Sequence, residues 1–396
     1  MMGIIIRRIQ ALECPMKLST DRILTTHVGS LPRDPEVAQI LLARERGEEY
    51  DKGQLNVELT RAVKEIVAKQ VAAGIDVVSD GEMGKLSYST YVTDRLTGFG
   101  GTTERKPNLD VAPYPEFREK MARMTGNQPI SRSACIGPIE IKDRELLKSD
   151  LEHFAAARDA SRPVEAFMTA ASPGVISVFQ PNQFYPTHEA YIQRLAEVMK
   201  EEYEAIADAG FLLQIDCPDL AMARHTAFQD LSEEEFLKCA EMQVEALNFA
   251  LTNVPAESVR MHVCWGNYEG PHDHDIPVEK IMPILLKAKP QAYQFEASNS
   301  RHAHEWKAWR DAKLPDDKVL IPGVLDSTSN FVEHPELVAQ RIEQFAAIVG
   351  RDRVIAGSDC GFGTFAGFGK MDANIVFKKL EAAAQGAEIA SERLWA

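Results

Sequence analysis

The chain has 396 residues, 45% of them hydrophobic and 26% charged, with a formal net charge of −15 and a pI near 5.2. Such a surface repels phosphate backbones and anionic headgroups, which excludes nucleic acid and acidic membranes as expected partners. The length supplies a large core, and one α/β barrel with insertions reaches this size as a single domain.

The six cysteines are scattered, without the dense spacing of a secreted disulfide scaffold. A reduced cytoplasmic protein is expected, in which thiols are free to ligate a metal. No stretch approaches the apolar length of a membrane span. At the N-terminus the apolar run Ile4-Ile5-Ile6 precedes Arg7-Arg8, too short for a signal peptide and with its charges on the wrong side. Met16 reads as an alternative start. Residues 1–20 read as a loosely ordered extension, and residues 21–396 as the catalytic domain.

From there, short β-branched or apolar runs alternate with amphipathic stretches. Ile23–Gly29 is expected as the first strand, Leu55–Ala73 as a helix and Ile75–Ser79 as the second strand. Thr97–Glu140, which carries five prolines, breaks the alternation. It reads as an insertion between the second and third strands, with a short hairpin around Ala134–Gly137. The alternation resumes with strands at Val164–Ala170, Phe211–Ile215, Val259–Cys264, Ala292–Glu296, Val319–Leu325 and Val354–Gly357. Helices are expected at Glu189–Ala209, Glu233–Thr252, Val278–Ala288, Pro335–Val349 and Met371–Ala384. Strands separated by helices imply parallel pairing through right-handed crossovers, and eight strands close a barrel of this kind. The expected fold is a single (β/α)8 TIM barrel, with a doubly wound open sheet as the alternative.

Nearly every expected strand ends in reactive or permissive residues. Examples are His27-Val28-Gly29-Ser30, Asp80-Gly81-Glu82, Asp216-Cys217-Pro218-Asp219, Glu296-Ala297-Ser298-Asn299 and Asp326-Ser327-Thr328. Strand C-termini converge on one face of such a barrel, and that face carries the active site. His262 and Cys264 stand two apart on one strand and project to the same side. Glu296 ends the next strand and Cys360 the last. Imidazole, two thiolates and a carboxylate suit zinc, and ligands from three separate strands point to a catalytic rather than a structural site. Zinc would hold a substrate thiol as its thiolate at neutral pH.

A lone cysteine is most often a small buried hydrophobe, and that reading stands for Cys14, Cys135 and Cys239. Cys217 is intermediate, being beside the mouth. His225, His302, His304 and the His272/His274 pair read as solvated loop or helix histidines, although the pair could bind a metal.

Taken together, His262-Val263-Cys264, Glu296 and Asp359-Cys360-Gly361 resemble the zinc motif of cobalamin-independent methionine synthase. The resemblance is to that family's C-terminal catalytic barrel. It runs on through Val28-Gly29-Ser30, Asp80-Gly81-Glu82 and Gln214-Ile215-Asp216, from about Leu24 onward. It implies zinc held by His262, Cys264, Glu296 and Cys360, and a homocysteine sulfur attacking a methyl group. Ser30, Glu82 and Asp216 would then hold the amino acid. Two carboxylates suit an ammonium group, and the Gly29-Ser30 backbone and hydroxyl suit a carboxylate. A structural ion pair or helix cap is the alternative for Glu82 and Asp216, and a site role is the favoured reading.

The chain also departs from that family. It has room for one barrel rather than two. Thr328 stands two residues after Asp326, where the family places a histidine that protonates the folate leaving group. The segment Ser172–Phe179 lacks the family's pterin-stacking tryptophan. All three departures concern the methyl donor, and the features also resemble single-barrel relatives such as epoxyalkane:coenzyme M transferase. His27, as a substitute acid, and Asp326 are the catalytic candidates. The expected activity is a zinc-dependent S-methyltransferase or alkyltransferase acting on homocysteine or a similar amino-thiol. The alternatives are epoxide opening by a thiol, a metal-free uroporphyrinogen decarboxylase-like enzyme, and a zinc or thiol carrier without turnover. The expected partners are a small thiol and an alkyl donor; a homo-oligomer is left open.

Overall fold

A computed structural model describes residues 15–104, 106–124, 133–367 and 371–396. In chain order its strands are β1 Leu24–Thr25, β2 Val77–Val78, β3 Phe99–Gly100, β4 Ala134–Cys135 and β5 Glu165–Ala171. They continue with β6 Leu212–Asp216, β7 Val259–Val263, β8 Ala292–Phe295, β9 Val319–Leu325 and β10 Ile355–Ser358. Eight of them form one parallel sheet in the order β1-β10-β9-β8-β7-β6-β5-β2. The two ends of that order meet. Asp76 N donates to Thr25 O at 3.2 Å, Thr26 Oγ1 to Val77 O at 2.9 Å and Ser79 Oγ to Gly29 O at 2.9 Å. The fold is a single (β/α)8 barrel, not an open sheet. Much of this seam runs through Thr26, Ser79 and Asp76 side chains rather than backbone pairs. That is why β1 and β2 are two residues long, shorter than their apolar runs predict.

The helices are α1 Pro35–Glu45, α2 Lys52–Ala72, α3 Val92–Arg95, α4 Pro115–Met124, α5 Glu145–Ser161 and α6 Pro173–Phe179. After these come α7 His188–Asp208, α8 Glu233–Ala250, α9 Val278–Leu285, α10 Trp306–Asp311, α11 Pro335–Val349 and α12 Ala373–Leu394. Their starts carry local signals. Asp51 accepts from Gly53 N and Gln54 N at the head of α2, and Ser232 with Glu235 forms a capping box on α8. The helices α1 and α5 escaped the sequence reading, although Asp34-Pro35 is itself a start signal. No helix among the described residues is long and apolar enough to cross a membrane.

The stretch between β2 and β5 holds α4 and the antiparallel pair β3–β4, with Phe99 opposite Cys135 and Gly100 opposite Ala134. The hairpin expected at Ala134–Gly137 is therefore a long-range pairing, fastened by Gly98 O accepting from Ile136 N at 2.8 Å.

Strand alternation stacks the barrel interior in layers. Met16, Leu24, Val77, Phe167, Leu212 and Ile321 are part of an apolar floor. Above it Arg260 donates to Thr26 Oγ1 at 2.9 Å, to His27 O at 2.8 Å and to Gln294 Oε1, with its guanidinium 4.1 Å over the Phe167 ring. The next step up each strand gives Asp216 on β6, His262 on β7 and Glu296 after β8. Met16 plugs the floor from below: it is buried, and its N–H donates to Glu257 O at 2.8 Å. Ser19 Oγ donates to Val354 O at 2.6 Å. A loosely ordered arm through residue 20 is thus corrected for residues 16–20, which an apolar side chain and these bonds dock. Residues 1–14 of that arm, including Cys14, lie outside the described residues.

Candidate metal centre and substrate cavity

The pleat of β7 and the end of β10 deliver three ligand atoms to one point. One ligand atom each of His262, Cys264 and Cys360 lies within 4.8 Å of the other two, and all three residues are buried. The sulfurs are 3.6 Å apart. Thiolates about 2.3 Å from a tetrahedral zinc sit roughly 3.8 Å apart, so the pair matches the edge of such a site. Burial alone would keep His262 neutral, but Asp216 and Cys360 outweigh it and push its pKa up to about 10. The Cys264 thiol beside it pulls Cys360 down, with His262 helping. The same sulfur contact and burial push Cys264 up. The trio thus favours one thiolate, on Cys360, in a buried place; a metal would also have to displace the proton of Cys264.

Glu296 stands beside the trio but outside it. Its carboxylate accepts from Trp265 N at 2.9 Å, Asn299 Nδ2 at 2.7 Å and Arg301 at 2.6 Å. Asp359, between Ser358 and Cys360, turns the other way and fixes the loop after β8. It accepts from the N–H groups of Ala297, Ser298 and Asn299 at 2.8–2.9 Å. That approach needs Gly323, because a Cβ there would lie 2.0 Å from Asp359 Oδ1.

A cavity of about 190 Å³ opens over the sulfurs, lined by Ser30, Glu82, Asp216, Met222, Tyr268 and Phe365 among others. Asp216 Oδ1 accepts from Gln214 Nε2 at 3.0 Å and lies 3.4 Å from His262 Nδ1. Glu82 accepts from Thr169 Oγ1 at 3.0 Å and from Arg33 at 3.4 Å. It adopts φ +57°, a left-handed backbone that costs a non-glycine residue of order 1 kcal/mol. Burial raises its pKa to about 7, against the pull of Lys85 and Arg33. A second hollow of about 400 Å³ abuts the cavity and shares Asn108, Phe179 and Met222 with it.

Ser30, Glu82, Asp216, His262, Cys264 and Cys360 therefore meet at one cavity. Two catalytic candidates do not join them. The His27 side chain leaves β1 toward α2, where Nε2 meets Gln70 Oε1 at 2.7 Å and Nδ1 accepts from Gly29 N at 3.1 Å. Its pKa is lowered to about 4 by burial. Asp326 folds back on its own loop and accepts from Thr328 N at 2.9 Å and Thr328 Oγ1 at 2.8 Å. Strand parity misled the first reading, and a turn-forming aspartate the second.

The expectation of solvated histidines fails for three of them. His225, His272 and His302 are buried, whereas His304 is exposed. The sequence reading also missed the buried cations behind Glu82. Lys85 Nζ donates to Thr169 O at 2.5 Å, and Arg33 reaches Lys85 O at 3.1 Å. The signal was their spacing, three residues beyond Ser30 and three beyond Glu82.

Residues 23–110 and 168–385 match the family model described as the cobalamin-independent synthase catalytic domain. The chain belongs to that family. The unmatched gap holds α4, β4 and α5. The chain is similar to the methionine synthase of Saccharolobus solfataricus, 24% identical over 373 residues that cover 93% of this chain and 95% of that protein. It is similar too to the methionine synthase of Sulfolobus acidocaldarius, 25% identical with 85% of each chain covered. Its fold is shared by a B12-independent methionine synthase from Shewanella sp. W3-18-1 in complex with selenomethionine. The TM-score is 0.70 at 19% identity, covering 94% of this chain and 99% of that one.

Proposed function

We propose that the protein is a zinc-dependent methyltransferase that methylates the thiol of homocysteine or a similar amino-thiol. The reading is carried by the meeting of His262, Cys264 and Cys360 with two carboxylates, Glu82 and Asp216, around one cavity. Family membership and the methionine synthases it resembles support thiol methylation. His262, Cys264 and Cys360 would hold the zinc, with Glu296 poised beside them as a further ligand if Arg301 and Asn299 release it. Bound there, zinc would supply thiolate at neutral pH.

The chain's own residues do the rest. Glu82 and Asp216 face the cavity as partners for the ammonium group, and Ser30 offers a hydroxyl to the carboxylate. Met222, Phe179 and Phe365 line the cavity and would limit the access of water to the sulfur. The new S–CH3 bond forms as the bond from methyl to donor breaks, the electron pair staying on the donor. The adjoining hollow lined by Val178, Phe179 and Met222 would receive the donor. The donor itself is proposed to be other than a methyltetrahydropteroyl-polyglutamate, because no histidine occupies position 328 to protonate a leaving nitrogen. The test supplies homocysteine and coenzyme M with methyltetrahydrofolate, methylcobalamin or small epoxides, with mass spectrometry of the products. Methionine from homocysteine supports the reading. Zinc and thiol binding without product would make the protein a carrier, and product from coenzyme M alone would sink the amino-thiol assignment.

A further inference from the structure

Asp110 and His225, both buried, and Asp275, partly buried, form a second cluster that shares no residue with the sulfur trio. Asp110 lies in the segment between β2 and β5, His225 at the end of the turn after β6 and Asp275 in the loop after β7. One ligand atom from each lies within 4.8 Å of the other two. His225 is fully buried, and neither ring nitrogen has a hydrogen-bond partner. Nε2 faces Asp110 Oδ2 at 3.5 Å, and Nδ1 faces Asp275 Oδ1 at 3.5 Å. A singly protonated imidazole offers a donor to one carboxylate and a lone pair to the other. A lone pair held against a buried carboxylate is repulsive in a low dielectric, so the space between His225 and its two facing carboxylates lacks a positive charge, although Arg301 and His302 already meet the outer oxygen of Asp275.

The geometry points to a second metal site, in which a divalent first-row transition ion is bound by Asp110, His225 and Asp275. One imidazole and two carboxylates form a nitrogen–oxygen donor set, unlike the thiolate-rich trio. The outer contacts are of the kind that orient metal ligands. Tyr268 OH donates to Asp110 Oδ2 at 2.8 Å and His274 N to Asp110 Oδ1 at 2.8 Å. His272 and His302 each reach the Asp275 carboxylate at 3.1 Å. Arg301 joins Asp275 at 3.2 Å to Glu296 at 2.6 Å. The ion would thus brace three loops of the barrel mouth and steady the arginine that holds Glu296.

The full chain, stripped by a chelator, is titrated with Co²⁺ and read by absorption and bound-metal analysis. Two equivalents are expected: one with intense thiolate-to-cobalt absorption, and one with weak bands only, whose binding raises Tm. His225→Gln should lose only the weak-band equivalent, and Asp110→Asn provides the same test if that variant fails to fold. Cys360→Ser should lose the thiolate absorption and keep the other equivalent. A single wild-type equivalent with thiolate absorption overturns the proposal and means His225 takes a proton instead. A single equivalent without thiolate absorption supports this site while removing the sulfur site. A second equivalent that survives both His225→Gln and Asp110→Asn also overturns it.

Discussion

The two sides of the barrel mouth are built differently. On the β7–β10 side, His262, Cys264 and Cys360 sit on or just past regular strands, and the pleat alone sets their direction. On the β1–β2 side the strands are two residues long, and Ser30 and Glu82 stand on turns beyond them. Glu82 takes a left-handed backbone and leans on Arg33 and Lys85, whose side chains are buried. One side therefore presents an imidazole and two thiols that a metal would bind, whereas the other brings its own cations. The lesson is that the sulfur side is defined by what it binds, and the carboxylate side by internal support that leaves Glu82 only partly ionised.

The hardest blow to this contrast falls on the sulfur side. Cys360→Ala removes one of the three proposed zinc ligands, and both zinc and turnover should fall by more than about 100-fold, measured by metal analysis and product formation. Cys239→Ala, on α8 and far from the mouth, is the control and should change neither. Retention of full zinc by Cys360→Ala would dissolve the sulfur side as a site.

On the carboxylate side, Glu82→Gln should raise KM for an amino-thiol by roughly ten- to a hundredfold, the worth of one charge-assisted hydrogen bond. It should barely move KM for a thiol lacking the amine. The wild type adds a pH signature. Burial raises Glu82 to about 7, so it gains a proton as pH falls through that value and loses its attraction for ammonium. KM for the amino-thiol, relative to the amine-free thiol, should therefore rise from pH 8 to pH 6, and Glu82→Gln should flatten the ratio. A flat ratio in the wild type would show that Glu82 does not meet the amine.

The same contrast explains what was legible. Barrel class, strand count and the meeting of His262, Cys264 and Cys360 followed from alternation and from an i, i+2 pair at a strand end. Those signals are local and survive in one dimension. Glu82 and Asp216 came through resemblance, but Arg33 and Lys85 did not, because buried cations look like surface residues in a sequence. The histidines at 225, 272 and 302 were misplaced for the same reason. Burial of His225 and His302 depends on groups far away in the chain, the facing Asp110 and Asp275 for His225 and Asp275 for His302. His27 shows the reverse error: a strand-end histidine looks catalytic until register decides which face it takes.

His27 offers a smaller test. His27→Ala leaves the Gly29 N–H without its acceptor, takes one of two partners from Gln70 Oε1 and opens a hole between β1 and α2, and should cost about 1–3 kcal/mol of stability, seen as a lower Tm. Turnover of the folded enzyme should hardly change, because a group with a pKa near 4 is neutral at pH 7 and holds no acidic proton to give. A large fall in kcat at unchanged Tm would restore His27 to the chemistry and extend the site beneath the β1 side.

The smallest effect is expected at Thr328. Its hydroxyl donates to Asp326 Oδ1 at 2.8 Å, and neither residue lines the cavity. Thr328→Ala should remove one partly exposed hydrogen bond, worth about 0.5–1.5 kcal/mol, and leave kcat within about twofold for every donor. A hydroxyl is too weak an acid to protonate a leaving nitrogen near neutral pH, so its loss takes nothing from such a step. The informative comparison is between donors. Transfer from a folate would need an acid near the departing nitrogen, whereas methylcobalamin leaves as a stable reduced metal and an epoxide relieves ring strain. If Thr328→Ala slowed transfer from methyltetrahydrofolate alone, the loop after β9 would be part of a donor site. The hollow beside Phe179 would then have to be assigned to something other than the donor.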